Sequence, residues 1–431
     1  MRLRVIIAGL VVGLSTLAIL LGQNGKPAEG AFLPCTDQVS AGGNLQAAVR
    51  AATPGAVICL DAGWHVSRGL LLDSYTRPGI TIRGAGTDKT VVASDGSIDA
   101  ILIVNTSGIT LKDMIIAGGL PSGVYVSNSQ DIHLDNVIVG FNGVGLHFDS
   151  DTTAQVTNSL VAGNRDDGIL IRQRSAVTLT DNSVFANGGV GVSAVGHTGK
   201  VVLTRNQIAD NRGPGFFAGQ SPCALLPPGV LEAPACYFTD LPSFVGSSDV
   251  TIEDSTIRAS GSTGLVFFPG TTGILRRNEI SSNLLTGLFV WGAKVDAYAN
   301  VFSKNEEHAI EYRAYPDPLH FKKLAAGYPR RASGTISGNT IKDTVRLGSI
   351  LGGGILSQGA DMRVLKNEVR RNAGIGISFV NSAKGEIKSN TVSQNGGSAI
   401  CLTADSSASV SSNVLFQNLV NKIGACAEAS P

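Results

Sequence analysis

Apolar and polar residues alternate in short runs along most of the chain. "VTLT" (177–180), "VVLT" (201–204), "GVGVSAV" (189–195) and "GIGISFV" (374–380) each put an apolar side chain at every second position. A period of two lines one face of an extended strand, whereas a helix needs 3.6. Between the runs a motif recurs: Asn, any residue, an aliphatic or aromatic residue, two further residues, Asn. It reads "NSVFAN" (182), "NQIADN" (206), "NEISSN" (278), "NVFSKN" (300), "NEVRRN" (367), "NTVSQN" (390) and "NVLFQN" (413). "STIRAS" (255) and "NTIKDT" (339) are degenerate copies, and "NVIVGFN" (136) and "NSLVAGN" (158) carry one additional residue. The second Asn advances locally by 22 to 24 residues.

Short strands, turn residues and a fixed period of this length predict a solenoid whose coils bury their apolar faces only against one another. Corners between strands call for left-handed or bridge backbone, which Gly and Asn tolerate, and a buried Asn amide there can bond to backbone and to the Asn one coil on. The chain lacks the L-x-x-L-x-L frame of leucine-rich repeats and the regular hexads of a hexapeptide helix. With these motifs the sequence resembles the right-handed parallel β-helix, the pectate-lyase-like superfamily, over residues 40 to 426. "NLQAAVRAATPGAVICLDAGWHV" (44–66) resembles the amphipathic capping helix, Pro-Gly turn and first strand with which members begin. Such a helix covers the bare end of the stack. The resemblance implies an all-β, single-stranded right-handed parallel β-helix of about a dozen rungs with an N-terminal cap. No linker-like stretch divides it, so one domain is expected over 32–431.

Composition changes this picture little. The chain is 43% hydrophobic and 16% charged with 53 Gly, and its net charge of +1 gives no global pull toward nucleic acid or anionic lipid. The N-terminus has Arg2 and Arg4, then "VIIAGLVVGLSTLAILLG", then a polar exit, so residues 1–31 read as a secretory signal or an uncleaved anchor and the protein as secreted or periplasmic. Six cysteines fit an oxidising compartment. They form three sequence-local couples, Cys35 with Cys59, Cys223 with Cys236 and Cys401 with Cys426, none at metal or redox spacing. Although six cysteines allow many connectivities, pairing of neighbours is expected, each bridge worth about 3 kcal/mol.

Function in a solenoid is expected where the rhythm breaks or an outward face departs from polarity. Long insertions lie near 219–247, with the Cys223 and Cys236 couple, and near 314–332, with Asp317, His320, Lys322 and Lys323. Registering strands on the small residue after each second Asn predicts an inward set of Leu146, Ile169, Val192, Phe216, Leu265, Leu288 and Ile310. The outward positions hold Phe217, Val266, Phe268, Phe289 and Trp291. This apolar stripe is either covered by the disulfide loop or open as a stacking platform for sugar rings, with Phe268, Phe289, Trp291, His320, Lys322 and Lys323 binding substrate. Glu311 and Arg313 edge it. On earlier coils the outward set gives His147, Asp149 and Arg172, an acid, a base and a cation suited to acid–base work, with Asp151, Asp166, Asp167, Arg174 and His197 nearby.

Motifs of the superfamily's enzymes are present only in part. Polygalacturonase-like members carry N-T-D, D-D, G-H-G and R-I-K; this chain has Asp166-Asp167 and "GHTG" around His197 but neither N-T-D nor R-I-K. Uronate epimerases of the fold carry D-P-H-D, which "PDPLH" (Asp317, Pro318, His320) resembles with a Leu inserted. Pectate-lyase-like members bind calcium through clustered acids, and no acidic trio stands at matching coil positions. No cofactor is therefore expected, calcium being the one open alternative. The sequence reading is a monomeric protein binding or processing an extended anionic polysaccharide as a lyase, epimerase or hydrolase. His147, Asp149, Arg172, Glu311 and Arg313 are its catalytic candidates, and a noncatalytic surface or adhesion scaffold is the alternative.

Overall fold

Three short parallel strands make each coil, and the asparagines sit at its corners. The computed structural model describes residues 34–196, 198–219, 248–314, 331–345 and 352–426. These residues wind as a right-handed, all-β parallel solenoid. They divide into two compact units, 1–188 and 189–431. The signal or anchor of residues 1–31, the insertions after Gly219 and Ala314 and residue His197 lie outside the described residues, as do Cys223, Cys236, His320, Lys322 and Lys323. Among the described residues no helix is long and apolar enough to cross a membrane.

The first unit opens with the expected cap, a helix at Leu45–Ala51. Asn44 caps it, its Oδ1 accepting the Ala47 amide at 3.0 Å, and Leu45 and Val49 are buried one turn apart. Gln46 closes the bare edge of the first face strand, Leu70–Leu72: its amide donates to the Leu71 carbonyl (2.9 Å) and accepts the Leu71 amide (2.8 Å). Cys35 and Cys59 form a disulfide beside the cap. The outward-facing sheet of this unit stacks Leu70–Leu72, Ile101–Val104, Ser122–Ser127, Val144–Asp149 and Ile169–Arg172 in parallel. The predicted inward pair Leu146 and Ile169 are register partners with no exposure.

In the second unit the corresponding sheet runs through Val192–Val195, Phe216–Gly219, Leu265–Phe267, Leu288–Trp291, His308–Arg313, Gly353–Gln358, Ile377–Val380, Ser398–Leu402 and Val420–Ala425. Val192, Phe216, Leu265, Leu288 and Ile310 form one continuous inward column, as expected. Cys401 pairs with Cys426 as expected.

Asparagine ladders hold the corners. In the second unit Nδ2 of Asn278, Asn300, Asn339, Asn367 and Asn390 each donates to Oδ1 of the next Asn, ending on Asn413, at 3.0 Å. That same Oδ1 accepts the backbone amide of the preceding Asn at 2.8–2.9 Å. The second hydrogen of each Nδ2 reaches a carbonyl of the preceding coil, as from Asn367 to Ile336 (2.8 Å). All four bonding positions of the Asn300, Asn339, Asn367 and Asn390 amides are thereby used. The other corner repeats this through Asn372, Asn395 and Asn418, and in the first unit through Asn142, Asn164 and Asn187. After the Asn142 corner a small residue is set by close approach: a Cβ on Gly145 would lie 2.5 Å from Gly168 O and 2.7 Å from Asn164 Nδ2.

The structure corrects the expected role of Asn as the left-handed residue. Positive φ falls one position earlier, on Arg277, Ala299, Lys366, Ser389 and Ser412. The ladder Asn itself is kept for hydrogen bonding. This also resolves the additional residue of "NSLVAGN": Asn158 (φ 51°) is the left-handed residue, and Ser159 takes the ladder position, its amide donating to Asn182 Oδ1 at 3.0 Å. Ser159 and Asn164 thus keep the spacing of the other copies.

Asn367→Ala removes the acceptor of two Asn339 donors and the donor to Ile336, all buried, and is expected to cost about 3–5 kcal/mol. Asn413→Ala, at the part-buried end of the same ladder, is expected to cost less because water reaches the freed groups. Urea unfolding midpoints of the two variants measure this, and equal shifts would contradict the ladder account.

Candidate functional site

Three of the expected catalytic residues meet on the outward face of the first unit. Parallel pairing sets Tyr125 and His147 in one column and Ser127 and Asp149 in the next, with Arg172 at the end of the adjoining strand. The inward neighbours Val126, Phe148 and Ile171 are buried without exposure, so each strand anchors its outward polar residue from beneath.

Asp149 is the hinge of the group. Its Oδ1 accepts the Ser150 amide (2.8 Å) and hydroxyl (3.3 Å), which fixes the carboxylate. Its Oδ2 lies 3.8 Å from both His147 Nε2 and Arg172 Nη1. The side chains of His147, Asp149 and Arg172 are 14%, 9% and 17% exposed, so most water is excluded from them. His147 Nε2 is buried without a hydrogen-bond partner. An unpaired buried nitrogen costs stability. Tyr125 stands edge-on to the imidazole, ring centroids 4.8 Å apart.

Burial drives the protonation states of this pair in opposite chemical senses. It pulls the His147 imidazole down to about 4; the Asp149 carboxylate opposes that shift and the Arg172 cation adds to it. At neutral pH the ring is an uncharged base. Burial pushes the Tyr125 phenol above its ordinary value, helped by Asp149 and Asp99 and opposed by its Ser127 hydrogen bond and Arg172. The phenol therefore keeps its proton. Asp99, hydrogen-bonded to Ser122, is likewise raised by burial, and its Oδ1 is buried and unpaired.

The remaining candidates are placed elsewhere. Arg174 pairs with Asp151, and Arg165 with Asp166, as surface ion pairs beside the group, and Asp167 is buried. In the second unit Glu311 is buried (1% exposed) and pairs with Arg313; its Oε2 is 3.4 Å from Thr286 Oγ1 and 4.0 Å from His308 Nδ1. Burial lowers the His308 pKa, against the pull of Glu311 and Glu307. The apolar stripe is largely covered: Phe217, Val266, Phe268 and Trp291 are buried and Phe289 is half-buried. Phe268 packs edge-to-face on Phe217 and Trp291, centroids 5.2 Å apart, and Trp291 Nε1 donates to the Ala314 carbonyl. Among the described residues no group of three or more His, Cys, Asp and Glu could hold a metal ion.

Sequence reasoning missed Tyr125, Asp99 and His308. Tyr125 was within reach: extending the small-residue register one coil upstream, to Gly123 in "SGVYVS", puts Tyr125 at the outward position that His147 holds. Asp99 and His308 lie before their strands' outward positions and gave no periodic signal.

The profile of the family described as "Right handed beta helix region" matches residues 99–225 and 243–428. Two solved structures of similar fold are A-modules of Azotobacter vinelandii mannuronan C-5 epimerases. AlgE6 is 16% identical with a TM-score of 0.60, over 88% of this chain and 96% of that one. AlgE4 is 16% identical with a TM-score of 0.51, over 89% and 94%. At this identity the likeness is one of fold. No curated protein matches the sequence.

The depressed His147 pKa carries a signed consequence. Between about pH 4 and the ordinary 6.5 the unfolded chain binds a proton that the folded chain refuses, so this group's contribution to stability is full above pH 6.5 and falls away toward pH 4. His308 shifts the same way, so the test is a difference. From pH 6.5 to 4.5 the wild type is expected to lose about 2–3 kcal/mol more unfolding free energy than His147→Gln, read from urea titrations at each pH. Parallel curves would place the imidazole's proton affinity near its ordinary value.

Proposed function

Because the chain belongs to the right-handed β-helix family, and the A-modules of similar fold are named as epimerases of a polyuronate, we propose that it processes an extended anionic polysaccharide. The chemistry is proton transfer at C5, the carbon next to a uronate carboxylate. Tyr125, His147, Asp149 and Arg172 carry it, and the observation behind this reading is the neutral, unpaired His147 Nε2 beside a protonated Tyr125.

Removing the C5 proton leaves charge that delocalises into the carboxylate, so a cation near that group lowers the barrier. Arg172 supplies the charge, and Asp149 keeps the cation and imidazole in register. His147 Nε2 takes the C5 proton. In an epimerase the Tyr125 hydroxyl returns a proton to the opposite face of C5, and phenolate and imidazolium then reset by exchange with solvent. In a lyase the same phenol instead protonates the departing O4 as the C4–O4 bond breaks and a C4–C5 double bond forms. Both outcomes share the first step. A hydrolase fits less well, since that chemistry calls for two carboxyl groups flanking the glycosidic bond. The two disulfides support work outside the reducing cytoplasm.

Folded protein incubated in D₂O with polymannuronate, polyguluronate or polygalacturonate is expected either to place deuterium at C5 of one of them, read by NMR, or to cleave one with the ultraviolet absorbance of an unsaturated uronate. Tyr125→Phe and His147→Gln are each expected to lower the turnover rate about 10²–10⁴-fold with little change in KM. If the wild type neither exchanges a C5 proton nor forms an unsaturated uronate with any of the three polymers, the catalytic reading fails and a binding scaffold takes its place.

A further inference from the structure

The second unit carries an arginine prepared differently from Arg172. The Nε of Arg313 donates to the buried Glu311 carboxylate, which Thr286 and His308 also face. Its guanidinium rests on the half-buried ring of Phe289, Cζ 5.6 Å from the centroid. Phe289 is backed by Phe268 at 6.4 Å. Parallel register places Arg313 between Trp291 on one coil and the half-buried Gln358 on the next. One edge of the planar group is therefore fixed by an ion pair and one face by an aromatic ring. The other edge, bearing both terminal NH₂ groups, makes no hydrogen bond to any described residue, and the side chain is 46% exposed.

An anchor of this kind removes the rotamer entropy that an ordinary surface arginine loses on binding. The remaining edge offers two parallel N–H donors, the spacing that a carboxylate accepts bidentately. We propose that Arg313 is a receptor for the carboxylate of one unit of an acidic glycan, a binding site on the second unit with no part in proton transfer; the choice of a uronate rests on the function proposed above. Glu311 is then a positioning residue. Buried behind the guanidinium, it holds Nε and leaves the outer edge to the ligand. Gln358, beside Arg313 on the next coil, is placed to bond a sugar hydroxyl.

The experiment is calorimetric titration of the full chain with a mannuronate trisaccharide at low and at moderate salt. His147→Gln serves as background, so that binding is read without turnover. Two binding events per chain are expected, both weakened by salt and absent with the carboxyl-reduced trisaccharide. Arg313→Lys keeps the charge against Glu311, and so the fold, but loses the planar fork. It is expected to weaken one event at least tenfold and spare the other, with an unchanged melting temperature. The inference is overturned if the trisaccharide does not bind, if Arg313→Lys leaves every event unaltered, or if an oligoglutamate binds equally well through Arg313. Absence of both C5 exchange and unsaturated product in the wild type alongside Arg313-dependent binding would defeat the catalytic reading and leave this one standing. Exchange with no Arg313-dependent event would do the reverse.

Discussion

The corner asparagine is the constraint on which the rest depends. Strands of neighbouring coils satisfy one another's peptide groups, but wherever the chain turns inside the solenoid an amide is left facing a dry interior. An unpaired buried amide costs about 1–3 kcal/mol, and the loss would recur at every corner of every coil. A side-chain amide has two donors and two acceptor positions, and stacking one above another uses all four. Asn367 shows the arithmetic: it serves the backbone and side chain of Asn339, the Ile336 carbonyl and Asn390 Oδ1. Serine meets part of this need at Ser159 and Ser255, where the hydroxyl accepts a corner amide and gives its own hydrogen to a nearby carbonyl. An aliphatic residue meets none of it.

Because the ladder fixes coil length, it fixes which residues become neighbours. Tyr125 and His147 are far apart along the chain yet share a column; Asp149 and Arg172 adjoin for the same reason. A column in a parallel stack tends to bring like residues together, which suits asparagine and is hazardous for charge. The outward face of the first unit avoids that hazard by alternating a phenol, an imidazole, a carboxylate and a guanidinium over adjacent coils. Burial then acts on each according to its charge type, disfavouring imidazolium and phenolate alike. The outcome is a base without a proton beside an acid with one.

Much of this was legible in the sequence because the fold is a period, and a period is visible without coordinates. The spacing of the asparagines gave the coil, the small residue after them gave the register, and parity gave the inward column from Val192 to Ile310. Local cysteine couples gave the two disulfides now described. Where the reading erred, non-periodic physics intervened. The residue in left-handed backbone is Lys366 or Arg277, whose identity carries no signal because at a corner the neighbouring ladder fixes the conformation and propensity does not. Asn136 and Asn158 resembled ladder members but are exposed left-handed residues. Parity identified Phe268 and Trp291 as outward, which they are; outward on a solenoid coil does not mean solvated, and both are buried.

Two acid–arginine pairs illustrate how sequence distance decides chemistry in such a fold. Asp149 and Arg172 lie on different coils, and their 3.8 Å separation leaves the carboxylate oxygen equally near His147. The carboxylate is therefore shared between the two rather than bonded to one. Glu311 and Arg313 are two residues apart on one strand, with side chains on the same face, and their direct bond commits the Nε edge of the arginine. The buried carboxylate fixes one edge of an arginine whose own side chain is 46% exposed. Composition alone makes the two pairs look interchangeable; one coil of offset leaves the first carboxylate shared between two partners and commits the second to one.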